Sequence, residues 1–261
     1  MKIIHLSDLH FGTEKDNIIN KLLDSLNQAK PDLTIISGDF TQRAFTQEFQ
    51  KTKDFLNNLP CPAFCVPGNH DIPAYNLIER FFEPYQKYQN FINKDLCPVY
   101  ENEKIKLAGL NSARRALPHW NWANGTISAE QRARLDRFFY PPPNDTRWKI
   151  CTFHHPIHKV DTMPLDVTVF GRKATLKKIQ DLKIDLVLTG HVHHASITTL
   201  GNDTHQTVYL SASTALSNRT RDQENGFNLI TLTKNTMTID IYKLKNSNFE
   251  NFETFERKKE N

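Results

Sequence analysis

The sequence predicts an α/β fold, and two patterns carry that prediction. Short β-branched runs alternate with helix-period segments over the first two thirds of the chain, beginning with a strand-like run at 2–7 and an amphipathic segment at 17–29. The last third instead holds strand-like runs in which polar and apolar residues alternate. The first pattern is typical of βαβ units with a mostly parallel sheet, and the second is typical of antiparallel strands.

The predicted elements follow one another with short connections. Strands are expected at residues 2–7, 32–37, 63–67, 104–111, 148–153 and 184–189. Helices are expected at residues 17–29, at 45–59, from Ser128, where SAEQ offers a capping box, and at 173–182. A surface turn is expected at 141–143. Later runs are predicted to pair as antiparallel strands of a second sheet, at 207–212, 227–232 and 236–242. No boundary divides the chain, so residues 1–261 are interpreted as a single domain.

Residues 71–100 interrupt this alternation. Aromatic and aliphatic side chains recur at helical spacing from Ile78 to Ile92, and Pro84 falls between them. We therefore expect a small helical insertion that is kinked or broken near this proline. Core packing is the favoured role of its aromatic residues, and a cap over a cleft is the alternative.

Composition and charge exclude several classes of protein. No run approaches 18 apolar residues, and the N-terminus enters a strand without the pattern of a signal peptide. No membrane partner is therefore expected, and the cytoplasm is the expected location. The four cysteines form no CxxC pair. The net charge of +4 is mild, so nucleic acid is not an expected partner. The sequence predicts no oligomeric state.

Metal-ligating residue types begin where five of the predicted strands end. They are Asp8 and His10 after the first strand, Asp39 after the second, Asn69 after the third, His154 after the run at 148–153, and His191 and His193 after the run at 184–189. Each motif alone is weak, because an Asp or Asn beside glycine is often a turn residue. The carboxyl ends of neighbouring strands, however, form ligand sites in α/β sheets. Five coincidences of this kind predict a metal site.

The types of ligand indicate which metals would bind. The set contains no thiolate, which disfavours structural zinc, and its mixture of imidazole and oxygen suits Mn²⁺, Fe, Zn²⁺ or Co²⁺. Seven ligands are too many for one tetrahedral ion and fit two divalent ions that share a carboxylate. Two such ions carry four positive charges, and the two aspartates remove only two. The site would therefore attract hydroxide and a phosphate anion.

The motifs DLH, GDF, GNHD, HHP and GHVHH occur in this order over residues 1–195. This series resembles that of the calcineurin-like metallophosphoesterases. Further segments, namely GDFTQRA, VPGNHDIP, LNSARR and the late STALSNRTR and GFNLI, are most similar to the bacterial branch of cyclic-AMP phosphodiesterases, the class III cyclic-nucleotide phosphodiesterases. The resemblance implies a four-layer α/β/β/α sandwich of two mixed β-sheets flanked by helices. It also implies hydrolysis of a small phosphorylated substrate, a cyclic nucleotide in that branch.

The resemblance also assigns roles to residues by position. It implies one ion held by Asp8, His10, Asp39 and His193, and a second held by Asp39, Asn69, His154 and His191. His70 matches the histidine that contacts the scissile phosphate. Asp71 follows it and is expected either to orient the His70 imidazole or to cap a helix. His155 and His194 match no ligand position, so they are interpreted as substrate contacts or as supports behind the ligands.

The mechanism expected from this site is attack on phosphorus by a hydroxide that bridges the two ions. Candidate substrate contacts are His155 and four further polar residues, Arg43, Asn111, Arg114 and Arg115. Arginine suits bidentate phosphate contacts, although most arginines are solvated surface residues. The aromatic residues at 81–88, with Trp120 and Trp122, are candidates for stacking on a base, although such residues usually pack in a core.

Several alternatives stay open from the sequence. A phosphomonoesterase, or a pyrophosphatase acting on nucleotides or lipid precursors, would use the same metals. A DNA nuclease is disfavoured by the mild charge, because such enzymes need a basic face. A metal-free binding scaffold would be expected to have lost ligands, whereas every ligand position here is filled.

Overall fold

Two six-stranded mixed sheets form the centre of the protein in a computed structural model, which describes residues 1–116, 121, 123–140, 145–158, 167–220 and 223–259. The strands are β1 (Lys2–Leu6), β2 (Leu33–Ile36), β3 (Ala63–Cys65), β4 (Val99–Glu101), β5 (Ile105–Gly109), β6 (Gly125–Thr126), β7 (Trp148–Thr152), β8 (Val169–Phe170), β9 (Leu186–Thr189), β10 (Ser196–Asn202), β11 (His205–Ser211), β12 (Gly226–Leu232), β13 (Thr236–Lys245) and β14 (Asn248–Lys258). The helices are α1 (Asp16–Ala29), α2 (Thr46–Asn57), α3 (Leu77–Phe82), α4 (Gln86–Phe91), α5 (Ala129–Phe139) and α6 (Arg172–Asp181), and a 3₁₀ turn covers Asn69–Asp71.

Parallel strands lie at the centre of the second sheet and along one side of the first. The first sheet has the order β14-β13-β12-β1-β2-β3, in which β1, β2 and β3 run parallel. The second has the order β10-β11-β9-β7-β5-β4, in which β11, β9, β7 and β5 run parallel. A short parallel pair, β6 and β8, lies outside both sheets.

Three apolar clusters hold four layers together. Ile3 packs between the sheets with residues such as Ile150, whereas the next residue, Ile4, packs on the outer face with Leu22 of α1. This reversal follows from the two-residue period of a strand. The outer face of the second sheet is covered by α5 and α6, through residues such as Leu135. The architecture is therefore the predicted α/β/β/α sandwich.

The space between the sheets becomes polar beneath the carboxyl ends of the strands. His5 of β1 is fully buried there, where its Nε2 lies 3.0 Å from Oγ of Ser37 and its Nδ1 lies 3.1 Å from Nδ2 of Asn228. Burial lowers the pKa of His5 to about 3, although the nearby Asp8 acts in the opposite direction. His5 is therefore a neutral hydrogen-bonding residue at neutral pH.

The predicted helices and central strands are confirmed within a few residues, but the placement of the late strands was partly wrong. The run at 207–212 lies in β11, which joins the second sheet parallel to β9. The runs at 227–232 and 236–242 lie in β12 and β13, which extend the first sheet antiparallel to β1. Alternation predicts a strand and its buried face but not its partner strand, which explains the error.

The insertion at 71–100 contains the two short helices α3 and α4, and Pro84 lies between them. Tyr88 of α4 is fully buried in the cluster under α1 and α2, as the core interpretation expects. On α3, by contrast, Ile78 and Phe82 are 75% and 80% exposed. A cap role for these helices stays a prediction, as does the single domain.

Some expectations fall outside the described ranges, namely Trp120, Trp122 and the turn at 141–143. Within those ranges, no helix has both the length and the apolar character needed to cross a bilayer.

The neutral His5 should make the protein less stable in acid. The unfolded chain takes up a proton at His5 near pH 6.5, whereas the folded protein takes it up only near pH 3, so stability falls as the pH falls through this range. At pH 5 this contribution amounts to about 2 kcal/mol. Urea unfolding in EDTA at pH 7.5 and pH 5 should therefore give a smaller loss for His5→Gln than for the unmodified protein. Equal losses in the two proteins would contradict this account.

Candidate metal centre

Five residues just beyond the strand ends adopt a left-handed backbone conformation. They are Asp8 (φ 53°), His10 (φ 48°), Asp39 (φ 56°), His191 (φ 71°) and His193 (φ 56°). Each such residue costs about 1–2 kcal/mol relative to ordinary backbone, because Cβ approaches the following carbonyl oxygen. The packing around the strand ends must therefore stabilise a strained backbone, as is common at functional sites.

Close packing of the loops depends on two glycines. A Cβ at Gly68 would overlap Oδ1 of Asp39, and a Cβ at Gly190 would overlap Oγ of Ser7 and lie 2.5 Å from Oδ2 of Asp8. Any side chain at either position would displace one of the two aspartates. The glycines of the GNH and GHVH motifs are thus required by the spacing of the carboxylates.

One group of ligand atoms forms around Asp8, His10, Asp39 and His193. Nε2 of His193 lies 3.2 Å from Oδ1 of Asp8 and 3.0 Å from Nε2 of His10. Nε2 of His10 lies 3.7 Å from Oδ2 of Asp39. Ligands that bind one ion at about 2.0–2.2 Å lie roughly 3–3.5 Å apart, so this spacing suits a shared cation.

A second group forms around Asp39, Asn69, His154 and His191. Nε2 of His154 lies 3.2 Å from Oδ2 of Asp39 and 3.2 Å from Nδ1 of His191. Nδ1 of His191 lies 3.0 Å from Oδ1 of Asn69. Oδ2 of Asp39 faces both groups, which is the position that a bridging carboxylate would take.

Backbone groups occupy the outer atoms of the two aspartates. The His191 amide donates to Oδ2 of Asp8 at 3.0 Å, and the His70 amide donates to Oδ1 of Asp39 at 2.8 Å. The segments carrying these aspartates are also paired, since the Asp8 amide donates to the Gly38 carbonyl at 3.0 Å. The inner oxygens, Oδ1 of Asp8 and Oδ2 of Asp39, are thereby directed into the site.

Backbone carbonyls fix the tautomers of two ligand histidines in the same way. Nδ1 of His154 donates to the Ser37 carbonyl at 2.8 Å, and Nδ1 of His193 donates to the Arg219 carbonyl at 2.8 Å. In the neutral imidazoles, Nε2 then presents a lone pair to the centre. Such contacts behind the ligands are usual for metal-binding histidines.

The two groups fit divalent cations, because lone pairs converge in each of them. Oδ1 of Asp8 is buried and has no hydrogen-bond donor among the described residues. Burial alone would raise the pKa of both aspartates, but the histidines around them, chiefly His193 for Asp8 and His154 for Asp39, hold it well below its usual range. Both carboxylates are therefore ionised, which is the form that binds metal.

The histidines show how strongly this centre attracts positive charge. Burial alone would lower the pKa of His154, but attraction to Asp39 raises it to about 9. Burial lowers the pKa of His10 to about 4 and that of His191 to about 3. Burial would also lower the pKa of His193, but attraction to Asp8 raises it. The carboxylates therefore favour positive charge in both ligand groups.

His70 lies beside both groups, and its imidazole is oriented by the backbone. Its Nδ1 donates to the Gln42 carbonyl at 2.8 Å, and its Nε2 faces the site. The expected contact with the Asp71 carboxylate is not made, so that prediction was wrong. Asp71 accepts hydrogen bonds from the amides of Asp39 and Gly68 and from the amide and hydroxyl of Thr41. It therefore joins the loops after β2 and β3.

His155 and His194 are both held by protein groups. Nδ1 of His155 lies 2.8 Å from Oγ of Ser112, and its Nε2 lies 2.9 Å from the Ala123 carbonyl. Its ring lies 4.5 Å from that of His191, so the position suits a support behind a ligand. Nε2 of His194 lies 2.9 Å from Nε2 of Gln223.

The other predicted substrate contacts do not line the cavity onto which the two ligand groups open. Arg115 donates to the Phe81 carbonyl at 2.6 Å, and Oδ1 of Asn111 accepts from the Ala113 amide at 3.0 Å. Arg114 donates to the Asn111 carbonyl at 2.7 Å, and Arg43 lies 5.7 Å from the ring centre of Tyr75. Their roles in substrate binding stay predictions without a supporting contact.

The ligand groups open onto a cavity of about 250 Å³. It is lined by Asp39, Asn69, His70, Asn121, Ala123, Asn124, Val167, His191, His193 and Arg219. Asn121, Asn124 and Arg219 were not predicted. Their signal in the sequence was weak, because each lies in a loop without a recognisable motif. The tripeptide SNR, at 217–219, was part of the resemblance and could have indicated Arg219.

Comparison with known proteins identifies the family. A family model described as calcineurin-like phosphoesterase matches residues 1–195, which is well over half of the chain. The chain is a calcineurin-like phosphoesterase. It is accordingly a metal-dependent phosphoric ester hydrolase, and its ligand groups fit the dinuclear site of that family.

The relatives that cover most of the chain include two proteins named as probable phosphodiesterases. A protein of Arcobacter nitrofigilis, named a probable glycerophosphodiester phosphodiesterase, is 30% identical over 77% of this chain and 75% of its own length. A protein of Synechococcus, named a probable cyclic nucleotide phosphodiesterase, is 24% identical over 76% of this chain and 75% of its own length.

Solved structures of metallophosphatases share the fold. A purple acid phosphatase from yellow lupin superposes with a TM-score of 0.77 at 11% identity, over 98% of this chain and 53% of the lupin chain. A dimetal phosphatase from Danio rerio superposes with a TM-score of 0.70 at 11% identity, over 98% of both chains. At these identities the comparison supports the four-layer fold alone.

Removal of the carboxylate that faces both ligand groups should weaken binding at both ion positions. We expect the unmodified chain to bind two Mn²⁺ ions and Asp39→Ala to bind at most one weakly, because Oδ2 of Asp39 faces both ligand groups. Isothermal titration with Mn²⁺ measures the stoichiometry, and circular dichroism checks the fold. Asp181→Asn is the control, because it also removes one negative charge, from an exposed side chain at the end of α6. Two ions bound tightly by Asp39→Ala would refute the bridging position.

Proposed function

We propose that this chain hydrolyses phosphodiester bonds of small molecules, with a cyclic nucleotide as the first candidate substrate. The proposal rests on one observation above all, which is that Oδ2 of Asp39 faces two ligand groups at the floor of a single cavity. The first group is proposed to hold one divalent ion through Asp8, His10, Asp39 and His193, and the second group to hold another through Asp39, Asn69, His154 and His191. Their mixed ligands suit Mn²⁺, Fe, Zn²⁺ or Co²⁺.

Two bound divalent ions would supply Lewis acidity, since they polarise phosphoryl oxygens and lower the pKa of a water between them. The chain supplies the charge balance around them. Among the described residues, Asp8 and Asp39 are the two carboxylates of the ligand groups. The Asn69 amide is neutral, and imidazoles bind metal ions in their neutral form. A net positive cavity results, and this favours the binding of an anionic phosphate ester.

The preference for a diester is supported by the relatives rather than by the geometry. The relatives of Arcobacter nitrofigilis and Synechococcus, which cover about three quarters of the chain, are both named as probable phosphodiesterases. A cyclic-nucleotide phosphodiesterase of Nostoc is also 22% identical over 74% of the chain. A glycerophosphodiester is the second candidate substrate, because the relative with 30% identity carries that name.

His70 is proposed to act on the leaving group. Because its Nδ1 donates to the Gln42 carbonyl, the neutral imidazole presents a lone pair at Nε2 rather than a proton. His70 can therefore donate to a departing oxygen only after Nε2 has taken up a proton. We therefore assign the acid–base role to His70 alone, and to Asp71 the role of joining the loops after β2 and β3.

A substrate panel tests the proposed function. With Mn²⁺ added, we expect turnover of bis-p-nitrophenyl phosphate and of 3′,5′-cyclic AMP, and slower turnover of p-nitrophenyl phosphate. Glycerophosphoethanolamine separates the second candidate from the first. Asp39→Ala should be inactive on every substrate. Faster hydrolysis of the monoester than of every diester would overturn the proposal in favour of a phosphomonoesterase, and cleavage of UDP-linked lipid precursors alone would favour a pyrophosphatase.

His70→Ala should keep both ions but lose turnover. The outer oxygens of Asp8 and Asp39 accept from the backbone amides of His191 and His70, which His70→Ala retains, so metal stoichiometry should not change. For a substrate with a poor leaving group, kcat should fall by about 100-fold or more, as expected when an acid–base residue is removed. The loss should be smaller for bis-p-nitrophenyl phosphate, whose leaving group needs little protonation. Equal activity of the two proteins on poor leaving groups would contradict the role.

A further inference from the structure

We propose that Arg219 is a substrate-binding residue, whose guanidinium binds the phosphoryl group in the cavity onto which the two ligand groups open. The inference deepens the proposed function, and it needs only that the site binds phosphate, whichever ester is hydrolysed. Arg219 lies in the loop between β11 and β12, outside the five strand-end motifs.

This loop is fixed to the segment that carries the first ligands. The Ala215 amide donates to the Ser7 carbonyl at 3.1 Å, and the hydroxyl of Thr214 donates to the Asp8 carbonyl at 2.6 Å. Further along, the Asn218 amide donates to the Thr13 carbonyl at 3.0 Å. These hydrogen bonds therefore fix the loop that carries Arg219 next to the ligand groups.

The backbone and the side chain of Arg219 both reach the site. Its carbonyl accepts from Nδ1 of His193 at 2.8 Å, which directs Nε2 of that ligand to the centre. Its Nη1 lies 3.1 Å from Oε1 of Gln42 and 3.3 Å from Nε2 of His70. The guanidinium thus stands beside the one imidazole that is proposed to act on the substrate.

Arg219 is also the only arginine or lysine among the described residues that line the cavity. The contacts of Arg115 and Arg43 lie on Phe81 and Tyr75 instead. A guanidinium offers donors in a planar fork that matches phosphate oxygens. A phosphoryl oxygen entering between Arg219 and His70 would therefore replace a weak contact to neutral Nε2 with a charge-assisted hydrogen bond.

The backbone and the side chain of Arg219 have different roles. The carbonyl of Arg219 orients a metal ligand, and this contact survives any change of the side chain. The guanidinium is proposed to bind the phosphate group of the substrate. Substitution of the side chain should therefore weaken phosphate binding without removing the ions.

The test is binding of inorganic phosphate to the Mn²⁺-loaded protein by isothermal titration, with metal content measured on the same samples. We expect Arg219→Gln to retain two ions and to bind phosphate about tenfold to hundredfold more weakly, because a charge-assisted contact is lost. Arg219→Lys should recover part of the affinity, since the charge remains but the fork does not. With the preferred ester, KM should rise by a larger factor than kcat falls.

Two controls make the outcome decisive. Arg137→Gln removes the same charge from the exposed face of α5 and should leave phosphate affinity unchanged. Asn218→Ala alters the exposed neighbour of Arg219 and should also leave it unchanged. Unchanged phosphate affinity in Arg219→Gln with both ions bound would overturn the proposal, as would loss of the ions, which would assign Arg219 to the metal centre. Because phosphate binding is read without turnover, failure of the diesterase proposal is distinguished from failure of this one.

Discussion

The site depends on two buried carboxylates that face imidazole lone pairs without enough positive charge to balance them. Asp8 and Asp39 are 0% and 1% exposed, and their inner oxygens meet Nε2 atoms at 3.2 Å. Burying such charges is costly unless cations or strong donors compensate for them. The amides of His70 and His191 satisfy the outer oxygens, and the inner oxygens require a cation. Glycines, loop pairing and outer histidine contacts all keep this arrangement together.

These contacts join distant parts of the chain. The amide of His191 and the carboxylate of Asp8 are 183 residues apart in sequence, and each belongs to a different sheet. The ligand groups therefore form only when both sheets are packed against each other. Binding of ions to the folded state alone would in turn stabilise the packing of the sheets by mass action.

Much of the fold and of the site could be predicted from the sequence, for reasons tied to particular residues. The strands β1, β2, β3, β7 and β9 are mostly buried and apolar, and polar ligand residues follow each of them. The sequence therefore predicted both these strands and the edge at which the ligands meet. The strands that pair with β12 and β13 could not be predicted, because alternation within a strand carries no information about its neighbour in the sheet. The exposed edge strand β14 has too few buried side chains to give a clear pattern.

Some contacts at the site could not be predicted from the sequence, for a similar reason. His70 was recognised from its motif, but its orienting group is the Gln42 carbonyl, and backbone atoms leave no trace in composition. Asp71 was placed beside His70 because it is adjacent in sequence, whereas the 3₁₀ turn at Asn69–Asp71 directs the two side chains to different partners. Arg219 lies in a loop, and loop residues reach a site through tertiary contacts that no local pattern encodes.

The left-handed backbone at five ligand positions has a consequence for the history of such a chain. Glycine would occupy these conformations with less strain than histidine or aspartate does, because it has no Cβ. A descendant that no longer needed catalysis would therefore gain stability by exchanging ligands for glycine. In this architecture, loss of the metal ligands and an increase in the stability of the fold are expected to occur together.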